Sequence, residues 1–176
     1  MKTLTDHLAG YAAYHRDRRN IATHLLGVPV IVFAVVVLAS RPTFGVLGGA
    51  PLTPALLAAV AAAGYYVALD RPMGLVMAAV LAAMLTAAAP IAAGPTGAWL
   101  GWGVGLFVGG WIVQFVGHAY EGRKPAFVDD VIGLMIGPLF VLAELLFIAG
   151  LRKPLQAEIE RRVGPVRIRR PDNAAA

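Results

Sequence analysis

The chain has 176 residues, of which 59% are hydrophobic and 14% charged, with a net charge of +5. A soluble domain carries about 25% charged residues, so this chain lacks the polar cover for a water-facing surface and reads as a membrane protein, with a soluble helical bundle as the alternative. It contains no cysteine, which excludes disulfides, thiolate metal sites and a cysteine nucleophile.

Polar sequence runs through Asn20 before the first apolar stretch, and no small-residue cleavage site follows, so the start is not read as a signal peptide. Apolar stretches of about 18 residues or more are candidate spans. They fall at 22–40, 52–69, 72–93, 97–117 and 131–150. Arg41-Pro42 ends the first, Asp70-Arg71-Pro72 makes a turn between the second and third, and Gly94-Pro95 separates the third from the fourth. The Ala-rich second and third predict a packed helical hairpin. The runs lack the alternation of barrel strands, and lipid leaves helices as the remaining solution. The expected fold is all-α and polytopic, with four transmembrane helices. In the fifth stretch, Gly137-Pro138 and Glu144 predict a broken or re-entrant pair of half-helices; a plain fifth span is the alternative.

Charge orients these spans. Arg16, Arg18 and Arg19 precede the first, Arg123 and Lys124 follow the fourth, and the sequence from Arg152 to Arg170 is strongly basic. The positive-inside rule puts all three on the cytoplasmic side. We therefore expect a helical membrane domain over 1–151, a basic cytoplasmic tail over 152–176 and a cytoplasmic N-terminus. The Ala- and Arg-rich composition is of bacterial type and points to an inner membrane. The basic residues are juxtamembrane and follow no recognition fold, so nucleic acid is excluded as a partner.

This topology brings His15, His24 and His118 to one membrane face. Imidazole is the commonest protein ligand for a catalytic transition metal, and polar groups at membrane depth usually mark a working site. His15 and His24 are nine residues apart, hence about 180° apart on one straight helix. They share an ion only if the chain bends between them, and the polar stretch Arg16 to Asn20 is the predicted bend. His118 and Glu121 are three apart and face one way on a continuing helix, a pairing known from iron carboxylate bundle sites. The ligand types suit non-haem iron, with zinc also open. Asn20 is placed to hold a histidine tautomer or to bond the backbone near the helix start. Arg19 and Arg123 are candidates for gripping a substrate carboxylate. Glu144 needs a partner, either metal or an arginine of the N-terminal segment.

Each residue also has a plainer role: interfacial histidines anchor helices, Glu121 pairs with Arg123 or Lys124, and arginines set topology. His7 reads as solvated, and Asp129 and Asp130 as helix-start charges. His15-Arg16-Asp17 spells a kinase tripeptide without the rest of a kinase. The run GWGVGLFVGG suits close helix packing rather than a nucleotide loop. The competing functional classes are a non-catalytic membrane protein with structural or metal-binding histidines and a small transporter.

The string Tyr11-x3-His15-x4-Asn20-x3-His24-x2-Gly27-x-Pro29, with Gln114-Phe115-x-Gly117-His118-x2-Glu121-x-Arg123-x-Pro125-Ala126, resembles the membrane-bound 2-hydroxy fatty acid dioxygenase family. Its characterised fungal member acts in the α-oxidation step of phytosphingosine breakdown. Gly137-Pro138-Leu139-Phe140 with Glu144 resembles a third block, a Pro-x-Phe followed by an acid. The resemblance covers both ends of the apolar region; the central hairpin matches only in hydrophobicity. It implies an Fe(II)-dependent enzyme that uses O2 to shorten a 2-hydroxy fatty acid by one carbon. It implies His15, His24 and His118 as metal-binding and catalytic residues, and Glu121, which matches a family position beside them, is counted with the metal-binding residues. Tyr11, Asn20, Gln114 and Glu144 fall around these ligands as supporting residues. His7 lies outside the blocks.

Overall fold

The computed structural model describes residues 2–125 and 132–168. Among these, seven helices and one short hairpin follow in the order α1 (Leu4–Ala12), α2 (Arg18–Ala39), β1 (Gly45–Leu47), β2 (Ala50–Leu52), α3 (Pro54–Leu69), α4 (Arg71–Ala93), α5 (Thr96–Glu121), α6 (Ile132–Ile148) and α7 (Lys153–Val163). The chain divides into two compact units, Met1–Leu26 with Ile112–Ala176, and Gly27–Trp111.

In the second unit, the Ala-rich stretches form the expected helical hairpin. Thr53 caps α3 by accepting from the Leu56 amide. Asp70 ends α3 and caps α4 by accepting from the Met73 amide, which is why Asp-Arg-Pro turns the chain so tightly. Gly74 lets the two helices touch: a Cβ there would lie 2.6 Å from the Tyr66 carbonyl carbon. Buried Val36, Val37, Ala55 and Ala88 form a core cluster in this unit, with Trp99 packed against it. The Trp99 indole N–H donates to the Val37 carbonyl at 2.9 Å. The strands β1 and β2 pair antiparallel through Gly48 and Gly49, both at positive φ. A Gly-Gly pair is the signal for such a turn; the sequence reading passed over it, so the all-α expectation needs this small addition.

In the first unit, α1 begins with a capping box in which Thr3 and Asp6 bond each other's backbone amides. It buries Leu4, Leu8, Ala9 and Ala12 and packs against α6 and α7. Here two expectations need correction. The fifth apolar stretch does not break at Gly137-Pro138: α6 runs through it without interruption. A single proline removes one amide donor, and Gly137 relieves crowding, since a Cβ there would stand 3.1 Å from the Tyr11 hydroxyl. The break comes after Ile148 instead. The Gly150 amide donates to Phe147 and the Leu151 amide to Leu146, with Gly150 at φ 76, which is a Schellman stop. From there α7 leaves at 114° to α6. The second correction concerns the bend before α2, which spans Ala13 to Asp17 rather than Arg16 to Asn20, because α2 already starts at Arg18. Val131, Asp129 and Asp130 lie outside the described residues.

Among the described residues three helices, α2, α4 and α5, are long and apolar enough to cross a membrane, or four if the bent α6–α7 pair is one span. At 16 residues α3 falls short of the roughly 20 that a bilayer core needs. Leu75, Val76 and Val80 on α4, and Leu100, Trp102, Val104, Phe107 and Val108 on α5, remain exposed, as lipid-facing side chains do. Replacing Gly74 by Ala should cost about 1–3 kcal/mol, because the collision is with backbone that cannot rotate away. Gly105→Ala, with open space around it, should leave the melting temperature level or higher. Thermal melts of the detergent-purified variants by circular dichroism check both.

Candidate metal centre

The bend between α1 and α2 is assembled from backbone groups that need acceptors. A helix start leaves its first amides unpaired, and α2 begins with Arg18 and Arg19, whose charge opposes the helix dipole. Glu121, the last residue of α5, brings a negative charge to this start and accepts from the amides of the turn just before it. Its Oε2 accepts from the Arg16 amide at 3.0 Å, the Asp17 amide at 2.7 Å and the Asn20 side-chain amide at 3.1 Å. Its other oxygen pairs with Arg167. Asp17 completes the cap by accepting from the Arg19 amide and guanidinium. The Asn20 side chain also donates to the Tyr14 carbonyl. The chain is thereby folded back so that His15 returns over the first turns of α2.

The three histidines meet there. His15, His24 and His118 are all buried, and one ring nitrogen of each lies within 4.8 Å of the others. Ring centroids stand 4.3 Å apart for His15 and His24, 5.1 Å for His15 and His118, and 5.0 Å for His24 and His118. Gly117 permits this approach, since a Cβ there would overlap the Thr23 side chain and reach 2.5 Å from Asn20 Oδ1. On the outer side Tyr11 stacks on His15 at 4.2 Å and 5°, and Phe140 of α6 lies 4.9 Å from Tyr11 and 5.6 Å from His15.

Tautomers follow from the acceptors. His15 Nδ1–H donates to the Tyr11 carbonyl at 2.7 Å, and His24 Nδ1–H donates to the Asn20 carbonyl at 2.8 Å. A carbonyl accepts only, so each Nε2 carries a lone pair. Those two Nε2 atoms face each other at 2.9 Å. Two lone pairs at that distance repel unless a positive centre lies between or beside them. Two imidazole nitrogens that shared one ion would stand about 3.0–3.4 Å apart, close to this separation. His118 adds a buried Nδ1 with no hydrogen-bond partner. Burial, and next to it the neighbouring His24, push the His15 pKa well below the ordinary histidine value, so His15 is neutral, as a metal ligand must be. The donor set fits a transition metal.

The other expected residues are arranged around this cluster. The carbonyl of Asn20 fixes the His24 tautomer, while its side chain braces the bend. The Glu144 carboxylate finds an arginine of the N-terminal segment, Arg16, at 3.9 Å, and Arg16 also donates to the Ala12 and Gly164 carbonyls. Gln114, one turn before His118, buries a side-chain oxygen without a partner. Glu121 takes Arg167 rather than Arg123 or Lys124 as its ion pair. Arg19 is held by Asp17 and lies 4.4 Å over the Tyr120 ring. Exposed Arg123 donates to the Ala13 carbonyl at 3.0 Å. His7 is half-buried and stays outside the cluster. The sequence reading passed over the roles of Arg16, Asp17 and Arg167 in building the bend; their signal, an acid and arginines beside a required turn, was absorbed by the positive-inside rule.

Glu121→Ala should lower stability by about 3 kcal/mol or more, since three buried donors and a paired cation lose their acceptor. Glu121→Gln, which keeps one acceptor oxygen, should cost less. Melting curves that place the Ala variant level with the unaltered protein would refute this account of the bend.

A family model described as 2-hydroxy-palmitic acid dioxygenase Mpo1-like matches residues 1–148. The 2-hydroxy-palmitic acid dioxygenase MPO1 of Saccharomyces cerevisiae is 33% identical over 159 residues, which cover 89% of this chain and 87% of the yeast protein. No solved structure matches significantly.

Proposed function

Since the chain belongs to the Mpo1-like family of 2-hydroxy-palmitic acid dioxygenases, we propose that it is a membrane-bound, iron-dependent dioxygenase that shortens 2-hydroxy fatty acids by one carbon. The observation that carries this reading is the pair of facing Nε2 lone pairs, with the unpartnered His118 nitrogen beside them. In our assignment His15, His24 and His118 hold Fe(II), and Glu121 positions the bend rather than binding the ion. Iron held by these three histidines would supply the chemistry that activates O2 beside the bound hydroxy acid.

The reaction balances without a further reductant. The C1–C2 bond breaks, C1 leaves as CO2, C2 becomes the new carboxyl group, and the four electrons released reduce one O2, with one water formed. What the chain's own residues do is bind and orient. Arg19 is occupied by Asp17, so of the two candidate arginines we assign Arg123 to the acid's carboxylate. The buried Gln114 oxygen is a suitable acceptor for the 2-hydroxyl. Tyr11 and Phe140 close the outer side of the cluster, which keeps water from it. The bend precedes the long apolar α2, so the acid's polar end meets the site at headgroup level while its acyl chain stays in hydrocarbon. We place that face on the cytoplasmic side, with the basic 152–176 segment, as the positive-inside rule directs.

Purified protein given Fe(II) and 2-hydroxypalmitate without oxygen should form no product. On oxygen addition it should then consume about one O2 for each pentadecanoic acid formed. His118→Ala should retain its melting curve in the absence of metal, bind iron at least about 100-fold more weakly and lose oxygen uptake. Oxygen uptake that is absent in the intact protein, or unaffected by the histidine change, overturns the proposal and favours structural histidines.

A further inference from the structure

The basic segment after α7 makes specific contacts with the histidine-bearing bend. The Arg167 amide donates to the Arg16 carbonyl at 2.6 Å, and the Arg18 amide donates to the Arg167 carbonyl at 3.1 Å. Together they form a parallel bridge between Asp17 and Arg167. The Arg16 guanidinium donates to the Gly164 carbonyl at 3.1 Å. The Arg167 side chain reaches Glu121, whose carboxylate is 1% exposed. Further along, Arg162 pairs with Asp6 of α1 at 2.8 Å. One arginine therefore serves the bend twice: its carbonyl accepts from the Arg18 amide, and its guanidinium donates to the Glu121 carboxylate that accepts from the Arg16 and Asp17 amides.

We infer that residues 164–168 are a latch for the metal centre and that Arg167 is a positioning residue, acting through Glu121 and the Arg16–Asp17 backbone on His15. A residue of the basic tail, outside the 1–148 stretch that matches the family, would thus tune the ligand geometry. A merely topogenic arginine needs only to lie near the membrane surface. The strand-like bridge and the buried partner go beyond that requirement. This inference rests on the metal reading above.

The test uses the full-length protein in detergent, stripped of metal and titrated with Co(II), whose visible spectrum reports ligand geometry. Arg167→Ala should weaken cobalt binding about 10–100-fold and change the band positions. Arg167→Lys, which keeps the charge but not the forked donor, should recover part of the affinity. Arg161→Ala removes the same charge from an exposed pair with Glu158 and should match the unaltered protein. Wild-type affinity and spectrum in Arg167→Ala overturn the latch. If the unaltered protein takes up no cobalt, the metal reading fails. The latch is then judged by trypsin: cleavage after Arg16 must be faster in Arg167→Ala than in Arg161→Ala, and equal rates refute it.

Discussion

One carboxylate determines whether the site exists. Glu121 ends α5 and sits at the start of α2, where backbone amides point outward and two arginines add charge of the wrong sign for a helix start. By accepting from Arg16, Asp17 and Asn20 at once, it makes a reversal of the chain stable next to an apolar span. Without that reversal His15 would point away from His24, because nine residues of helix turn a side chain to the opposite side. The acid thus works on the histidine cluster at one remove, by holding the backbone that carries His15.

Two carbonyls set the protonation pattern of the cluster. Tyr11 and Asn20 offer backbone oxygens four residues before His15 and His24 respectively, and each takes an Nδ1–H. The same local device, used twice, leaves two lone pairs converging in a buried space beside the Tyr11 and Phe140 rings. Anchoring histidines would be expected to direct a proton at an acceptor, whereas these direct acceptors at each other. That difference in polarity bears on the choice between a ligand set and a structural hydrogen-bond network more directly than proximity does.

Much of this was legible in the sequence. The spacing of four between His7, Tyr11 and His15, and of four between Asn20 and His24, is visible in the sequence, and so is the need for a bend. The turn chemistry of Asp70-Arg71-Pro72 and Gly94-Pro95 also placed the helix ends correctly. What could not be read were contacts between residues far apart in the chain. Glu121 stands 105 positions from Arg16, and nothing local distinguishes it from a surface acid next to Arg123 and Lys124. Pro138 misled for a related reason. Its cost to a helix is local, but the packing of α6 against α1, with Gly137 under the Tyr11 hydroxyl, is tertiary and overrides it.

The basic tail shows how one rule can hide another. Positive charge near a span satisfies topology wherever it falls, so a count of arginines gives each the same weight. Their environments are unequal. Arg161 is 71% exposed and pairs with its own helix, while Arg167, 61% exposed, reaches a carboxylate that is 1% exposed. An ion pair between two solvated groups contributes little, but one whose acid is already desolvated and fixed by three donors gains from the cation without a fresh desolvation cost on that side. Topology needs only that such residues be positive; the bend needs one of them at a particular place.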